Sequence, residues 1–249
     1  MKRYMKVSGQ QRLPSTSWSA NTTKIRLVLN YKRIPYTQSY TSYQDIAPLL
    51  SSLRIQPHPA ESANPAPYTL SAITHPSLMS DRNPHGALMD SLRIAQHLDK
   101  TFSGPSIFPA GAENVNFAIT VNVAMSTVTQ KGSPLLLSEY FARTWESKLG
   151  KTVEETKPSS EVEVQRICED MVKAMKPVIT LLQQATKGGG LYFEGEKPGF
   201  ADFVLVGFLA WVESVDKRVW EVITRSGKEI MAIWDGCRNY SFKGVRKGN

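Results

Sequence analysis

The sequence predicts two modules, a mixed α/β module followed by an all-helical module. Two observations predict this organisation. Over the first hundred residues, short stretches with strand character alternate with short helical patterns, whereas from about Gly111 onward only long helical patterns follow. An α/β unit followed by consecutive helices is typical of two packed domains. We therefore expect one domain over residues 1–102 and a second over residues 111–249, joined by a linker over residues 103–111.

The elements of the first module follow from local patterns. Apolar residues at Ile25, Val28 and Leu29 approach the i, i+3, i+4 spacing of a helix that begins at Asn21. Alternating aromatic and hydroxyl side chains predict a strand over 37–43, and four prolines predict a loop over 56–67. The predicted elements are strands over 4–7, 37–43 and 68–73, helices over 21–31, 45–53 and 90–98, and loops over 9–19, 56–67 and 75–86. The last loop is interpreted as an insertion where a second strand and a hairpin would be expected.

The second module is predicted to be a helical bundle. A run of three glycines, Gly188 to Gly190, is a strong signal for a helix end. The predicted helices cover residues 114–127, 137–149, 162–186, 201–215 and 219–225. Asp202 stands early in a strongly apolar helix, where a buried carboxylate is expected to cap the helix start and to serve folding.

Composition favours an ordinary globular protein with a small-molecule partner. The 249 residues carry a formal net charge of +8, but Lys and Arg are scattered and no nucleic-acid-binding motif is present. No stretch approaches the roughly 20 apolar residues that cross a bilayer. We therefore expect no nucleic-acid or membrane partner and a cytoplasmic location.

Two cysteines in a chain of this length predict unpaired thiols, with no disulfide framework and no metal site.

Short motifs at the ends of predicted helices and strands, most of them at the N-terminal end, are more specific than the composition. They stand in one order along the chain: Trp18-Ser19-Ala20-Asn21, Asn30-Tyr31-Lys32, Tyr43-Gln44-Asp45-Ile46, Tyr68-Thr69-Leu70, Asp90-Ser91 and Phe200-Ala201-Asp202-Phe203. This series resembles the fungal-specific A (FuA) class of glutathione transferases and their bacterial etherase-like relatives. The resemblance covers roughly residues 16 to 240.

The resemblance implies a fold, a co-substrate and an assembly. The fold would be the cytosolic glutathione transferase architecture, with an α/β thioredoxin-like N-terminal domain and an all-α C-terminal domain. Glutathione would be the co-substrate, hydrophobic aromatic electrophiles the acceptors, and the chain would form a homodimer. The glutathione-binding residues would be Trp18, Thr69, Leu70, Ser71, Asp90 and Ser91.

Ser19 is the candidate catalytic residue, with Asn21 as a second donor. The glutathione thiolate is the nucleophile, and a free thiol has a pKa near about 8.5, so little of it is ionised at neutral pH. Unpaired N–H groups at a helix N-terminus and a donated hydroxyl hydrogen bond both favour the thiolate. The resemblance gives Ser19 this role, although Ser19 taken alone also fits a simple N-cap. Both roles can coexist.

Asp90 and Ser91 precede another helix, and capping is again the simplest interpretation of the pair alone. The resemblance implies that they hold the γ-glutamyl end of glutathione, whose ammonium and carboxylate can pair with the Asp and the Ser hydroxyl. Lys32 and Arg33 are interpreted as exposed surface cations, with a contribution of positive charge to the glutathione site as the alternative.

Ser71 stands where the family carries a proline, usually after a cis peptide bond, so the Leu70–Ser71 bond could be trans or cis. This departure motivates a second hypothesis, a ligandin-type protein that binds aromatic small molecules with weak or lost catalysis. A transferase-like interaction module is a third. No cysteine lies near the start of the first helix, which disfavours the cysteine-type family members that reduce mixed disulfides.

Overall fold

The computed structural model describes residues 5–13, 16–17, 19–59, 66–109, 111, 115–136 and 152–242. The described residues form two compact units. The first unit takes the chain as far as Asn114 and again from Cys237 onward, and the second runs from Val115 to Gly236. Residues 237–242 therefore group with the first unit, whereas the predicted second domain extends over 111–249.

A five-stranded mixed sheet organises the first unit. Its strands are β1, Met5–Leu13; β2, Thr16–Ser17; β3, Tyr36–Thr41; β4, Ala72–Thr74; and β5, Ala87–Met89. β1 pairs in parallel with β3, and antiparallel with β2 and β4, while β4 pairs antiparallel with β5. The order β3–β1–β4–β5, with a helix crossing between the parallel strands, is the thioredoxin-like arrangement that the resemblance implies.

Several strand boundaries differ from the predicted ones. β1 runs to Leu13, through part of the segment predicted as a loop over 9–19, and β4 begins only at Ala72. The segment 75–86 is the loop of the β4–β5 hairpin, with a 3₁₀ turn over Pro76–Leu78. Interpreting it as an insertion in place of a strand was wrong, because the three residues of β5 are too few to show an alternating pattern.

The helix α1, Ala20–Tyr31, confirms the helix predicted over 21–31. Its inner face buries Ile25, Val28 and Leu29 completely. At its end, Arg33 adopts φ 56°, and the N–H of Ile34 donates to the C=O of Leu29 at 2.8 Å. This closure is the Schellman pattern that satisfies orphan carbonyls at a helix end. Two further helices of the first unit are α2, Ile46–Ser52, and α3, Ser91–Thr101.

A buried ion pair fixes the segment that follows α3. Lys32 is buried, and its Nζ lies 2.8 Å from Asp99 Oδ1 and 3.1 Å from the carbonyl oxygen of Pro105. The same carboxylate accepts hydrogen bonds from the Ser106 hydroxyl at 2.8 Å and the Ile107 N–H at 3.1 Å. The expectation that Lys32 is an exposed cation was therefore wrong, because its counter-charge comes from a residue 67 positions away.

The second unit is built from helices in its described part, joined by turns and short irregular segments. Its helices are α4, Asn116–Lys131; α5, Ser133–Leu136; α6, Val153–Thr156; α7, Glu161–Lys187; α8, Phe200–Val215; α9, Lys217–Arg225; and α10, Lys228–Phe242, which continues into the first unit. The helix predicted over 137–149 lies outside the described residues, and α10 was not predicted. Gly188 caps the end of α7, as expected. Among the described helices, none combines the length and the apolar character that a membrane span requires.

Asp202 holds the start of α8. Its side chain is completely buried, and its two oxygens accept the N–H groups of Phe193 at 3.1 Å and Gly199 at 2.8 Å. Burial raises the pKa of Asp202 to about 7, the two backbone hydrogen bonds lower it, and Glu194 adds a smaller raising effect. The geometry agrees with the structural role predicted for this carboxylate.

Candidate functional site

The β4–β5 hairpin and α1 bring the predicted site residues to one end of the sheet. Ala72 at the start of β4 lies opposite Met89 at the end of β5. Ser71 and Asp90 are the next residues outward on these two strands, so they emerge at the same end. The Ser71 hydroxyl donates to the carbonyl oxygen of Asn21 at 3.2 Å, which ties the first turn of α1 to this end as well. Residues predicted from three distant motifs therefore converge.

Ser19 is the N-cap of α1 and is only partly buried. Its Oγ accepts the Thr22 N–H at a long 3.4 Å, and its carbonyl oxygen accepts the Thr23 hydroxyl at 3.1 Å. A hydroxyl that accepts a hydrogen bond still has its own hydrogen to donate. Capping therefore leaves the Ser19 O–H able to donate to an anion at the helix start.

Asn21 is held at two points, one on its backbone and one on its side chain. The carbonyl oxygen accepts the Ser71 hydroxyl, and Oδ1 accepts the ammonium of Lys24 at 2.9 Å. Ser71 is buried, whereas Asn21 is partly buried. The Leu70–Ser71 peptide bond is cis.

Lys24 on α1 is a buried lysine whose ammonium contacts the Asn21 side chain. The side chain is 5% exposed, and burial lowers its pKa to about 8, while the charge of Asp90 acts in the opposite direction. Asp90 in turn caps α3, accepting the N–H groups of Leu92 at 3.0 Å and Arg93 at 3.1 Å. Lys24 on α1 therefore lies within electrostatic range of Asp90 at the start of α3.

Asp90 has a backbone conformation that is rare for its residue type, with φ 86°. Such a conformation costs on the order of 1–3 kcal/mol in a residue other than glycine, and these conformations cluster at functional sites. It carries the chain from β5 directly into α3, whose first residue is Ser91. The predicted Asp90–Ser91 pair therefore stands at a helix N-terminus, where N–H groups favour anionic ligands.

Two family models match the chain over almost its whole length. Residues 13–106 match the glutathione S-transferase N-terminal domain, and residues 108–240 match the glutathione S-transferase C-terminal domain. The chain is also 43% identical over 238 residues to the glutathione S-transferase-like protein ustS of Aspergillus flavus, an alignment that spans 89% of this chain and 85% of that protein.

The chain belongs to the glutathione S-transferase family.

Solved structures from fungi share the fold. The glutathione S-transferase CsGST63524 of Ceriporiopsis subvermispora, solved in complex with glutathione, superposes with a TM-score of 0.80 at 25% identity, covering 98% of this chain and all of that one. The glutathione transferase GSTFuA3 of Phanerochaete chrysosporium gives the same TM-score at 22% identity, with 98% of this chain and 100% of that chain covered. Two-domain glutathione transferase architecture is thus confirmed, and the neighbours include FuA-class members.

Within the transferase fold, Thr69 and Leu70 are placed by the loop that leads into β4. The Thr69 hydroxyl lies 3.0 Å from Nε2 of His58, and its N–H donates to the sulfur of Met89 at 3.3 Å. Leu70 is buried in a cluster with Ile46 and its neighbours on α2 and the hairpin. The Leu70 side chain therefore anchors this loop to the core.

Two residues of the site region, Lys24 and His58, were not predicted. Lys24 lies within the helix predicted over 21–31, but a lysine within an amphipathic helix gives no sign that it is buried. His58 lies in a segment predicted only as a loop, and its partner Thr69 is 11 residues away. The contact depends on loop closure, where the His58 N–H donates to the Pro67 carbonyl oxygen at 2.7 Å.

Trp18, the remaining predicted glutathione contact, lies outside the described residues. In the part of the chain that the structure describes, no group of three or more His, Cys, Asp or Glu side chains is arranged to hold a metal ion. Cys237 is buried and Cys168 partly so, and neither forms a disulfide.

Proposed function

We propose that this family member is a glutathione transferase that conjugates or cleaves hydrophobic aromatic electrophiles, with the glutathione thiolate stabilised by Ser19. The observation that carries the proposal is the geometry of Ser19. It caps α1 through a long 3.4 Å contact and remains partly exposed, two residues before Asn21, whose carbonyl oxygen accepts the Ser71 hydroxyl. Family membership and the fungal structure solved with bound glutathione support glutathione as the co-substrate.

The proposed chemistry follows from the donors at the start of α1. The glutathione sulfur accepts the Ser19 O–H and lies in the positive end of the helix dipole, so its thiol loses its proton to solvent more readily. Asn21 supplies a second donor from its side-chain amide. The thiolate then attacks the electrophilic carbon of the acceptor, a C–S bond forms, and the leaving group departs with the electrons of its bond to carbon.

The γ-glutamyl end of glutathione is assigned to the start of α3. Asp90 pairs with the ammonium, and the Ser91 hydroxyl together with the first N–H groups of the helix binds the carboxylate. Thr69, Leu70 and Ser71 are assigned to the cysteinyl part, which a backbone segment before β4 can bind through main-chain groups. These assignments, with Trp18, complete the proposed glutathione site.

Ser19→Ala tests the catalytic assignment. We expect kcat/KM with chlorodinitrobenzene to fall about 100-fold or more, because a donor to the developing charge is lost. Ser160→Ala is the matched control, since Ser160 caps α7 through a contact of 3.3 Å to the Glu163 N–H. Both variants should lose a similar, small amount of stability, about 1 kcal/mol, but only Ser19→Ala should lose activity. Equal turnover by the wild type and Ser19→Ala would refute the role of Ser19.

A ligandin-type binding protein is the second candidate function, favoured by a cavity at the other end of α1. The cavity has a volume of about 670 Å³, within the range of small-molecule sites, and is lined by Tyr31, Arg33, Pro105 and Tyr240 among others. The rings of Tyr31 and Tyr240 meet edge to face at 5.2 Å. The 12 residues of α1 separate the cavity from Ser19 by about 18 Å.

If ligand binding is the main function, turnover by the wild-type protein will stay near the uncatalysed rate, while aromatic anions will bind to it.

A cytoplasmic location and a homodimeric state complete the proposal. The homodimeric state comes from the resemblance to cytosolic-type transferases, and the location is the one expected from the sequence. Exposed apolar side chains on α4 support an interface there, since Ile119 is 47% and Val123 is 59% exposed. The two residues are four positions apart and so lie on the same face of the helix, and contiguous exposed apolar patches mark protein–protein interaction sites.

A further inference from the structure

Lys24 is a buried cation that the proposed chemistry does not use. Only 5% of the residue is exposed, although it lies in the first turns of α1, close to a ligand site. Burying an ammonium is costly unless it is paired and hydrogen-bonded. Its Nζ donates to Asn21 Oδ1 at 2.9 Å, and Asp90 supplies a negative charge.

This contact decides which way the Asn21 amide faces. The two ends of an asparagine amide have nearly the same shape and must be told apart by their hydrogen-bond partners. A lysine ammonium has only donors, so it selects the carbonyl end of the amide as its partner. The NH₂ end of Asn21 must then face away from Lys24.

The backbone of Asn21 is fixed independently. Ser71, which is 1% exposed, donates its hydroxyl to the Asn21 carbonyl oxygen at 3.2 Å. With the main chain restrained by Ser71 and the amide restrained by Lys24, Asn21 has little freedom left. A donor that is oriented before its ligand arrives loses less entropy on binding.

Resting on the proposed function, we propose that Lys24 is a positioning residue, whose ammonium holds the Asn21 amide so that its NH₂ group is presented as a donor to the glutathione sulfur. Lys24 does not touch glutathione in this arrangement, and it acts through Asn21. Because burial lowers its pKa only to about 8, most of the lysine stays charged at neutral pH and keeps this hold.

Lys24→Met removes the ammonium and keeps an unbranched apolar side chain of similar length. We expect the thiol of bound glutathione, titrated by the ultraviolet absorbance of its thiolate, to show a pKa about one unit higher, or roughly tenfold less thiolate near neutral pH. Lys32→Met is the matched control. Lys32 is the buried lysine at the C-cap of the same helix, and its ion pair is with Asp99. Its loss should lower stability without moving the thiol pKa.

A double-mutant cycle separates positioning from direct attraction between the ammonium and the thiolate. If Lys24 acts through Asn21, then Lys24→Met should have almost no further effect on the thiol pKa in an Asn21→Ala background. The same shift in both backgrounds, or no shift in either, would overturn the proposal. If Lys24→Met fails to fold, Lys24→Gln takes its place, since it also removes the charge.

A measurement without glutathione keeps this inference distinct from the proposed function. The side-chain NH₂ resonances of Asn21, identified by their loss in Asn21→Ala, should move in Lys24→Met toward those of a solvated asparagine and stay in place in Lys32→Met. If wild-type protein does not ionise glutathione, the proposed function fails, and these resonances still decide whether Lys24 orients the amide. Unmoved Asn21 resonances in Lys24→Met would overturn the inference.

Discussion

Two side chains that organise the first unit, those of Ser71 and Lys32, bind partners that are remote in sequence. Asn21 is bound by Ser71, 50 positions away, and Lys32 by Asp99, 67 positions away. Both lysines associated with α1 are buried, but their partners differ in kind. Lys24 donates to a neutral amide near the candidate site, whereas Lys32 forms an ion pair that fixes the segment after α3.

Lys32→Met should be strongly destabilising at the residue scale. The substitution leaves the buried carboxylate of Asp99 without its cation, and breaking a buried pair in this way costs on the order of 3 kcal/mol. Lys173→Met provides the control, because Lys173 pairs with Asp170 on the exposed face of α7. Urea unfolding should show a clear loss for Lys32→Met and none for Lys173→Met. Similar midpoints for the two variants would contradict this account.

Helix starts are the elements on which both the fold and the candidate site depend. α1, α3 and α8 each begin at a residue whose side chain or neighbour satisfies exposed N–H groups. At α1 and α3 the capping side chains, Ser19 and Asp90, are partly exposed and can also contact a ligand. At α8 the capping carboxylate of Asp202 is completely buried, so it can only stabilise the fold.

Asp202→Ala should therefore destabilise the protein far more than removal of an exposed cap. It leaves the buried N–H groups of Phe193 and Gly199 without a partner, at a cost of about 3 kcal/mol. Asp216→Ala, which removes the cap of α9, should cost about 1 kcal/mol in the same urea assay. Equal losses would show that burial does not set the strength of the Asp202 interaction.

The stability difference between wild type and Asp202→Asn should also depend on pH. The folded-state pKa of about 7 lies above the ordinary value of 3.8, so the folded protein binds this proton more tightly than the unfolded chain. Relative to Asp202→Asn, wild-type stability should increase as pH falls from 7 toward 4 and decrease as pH rises through 7. Unfolding free energies of both proteins measured across this range give the comparison, and a constant difference would contradict the raised pKa.

On the scale of the whole molecule, glutathione should stabilise the protein by mass action. A ligand that binds only the folded state at 100 times its dissociation constant adds about 2.7 kcal/mol. For a chain of this length that corresponds to a rise in Tm of roughly 5–10 °C. Differential scanning fluorimetry over a glutathione series checks this, with the tripeptide Glu-Cys-Gly joined by an ordinary α-linkage as the control. No rise with glutathione would count against the assigned γ-glutamyl site.

The sequence alone determined the two-module order, the helix α1 and the candidate site residues at its start. These features depend on local patterns, namely helical spacing, capping residues and glycine runs, and on motif order along the chain. For the same reason Ser19, Asn21, Asp90 and Ser91 could be singled out before their positions were known.

Tertiary structure alone decided which of these residues meet. The pairing of Ala72 with Met89 brings Ser71 and Asp90 to one end of the hairpin, and the Ser71 hydroxyl joins Asn21 to it. It also decided that Lys24 and Lys32 are buried. The physical reason is that burial, register and hydrogen-bond partners depend on contacts between residues far apart in the chain, and such contacts leave no pattern in the local sequence.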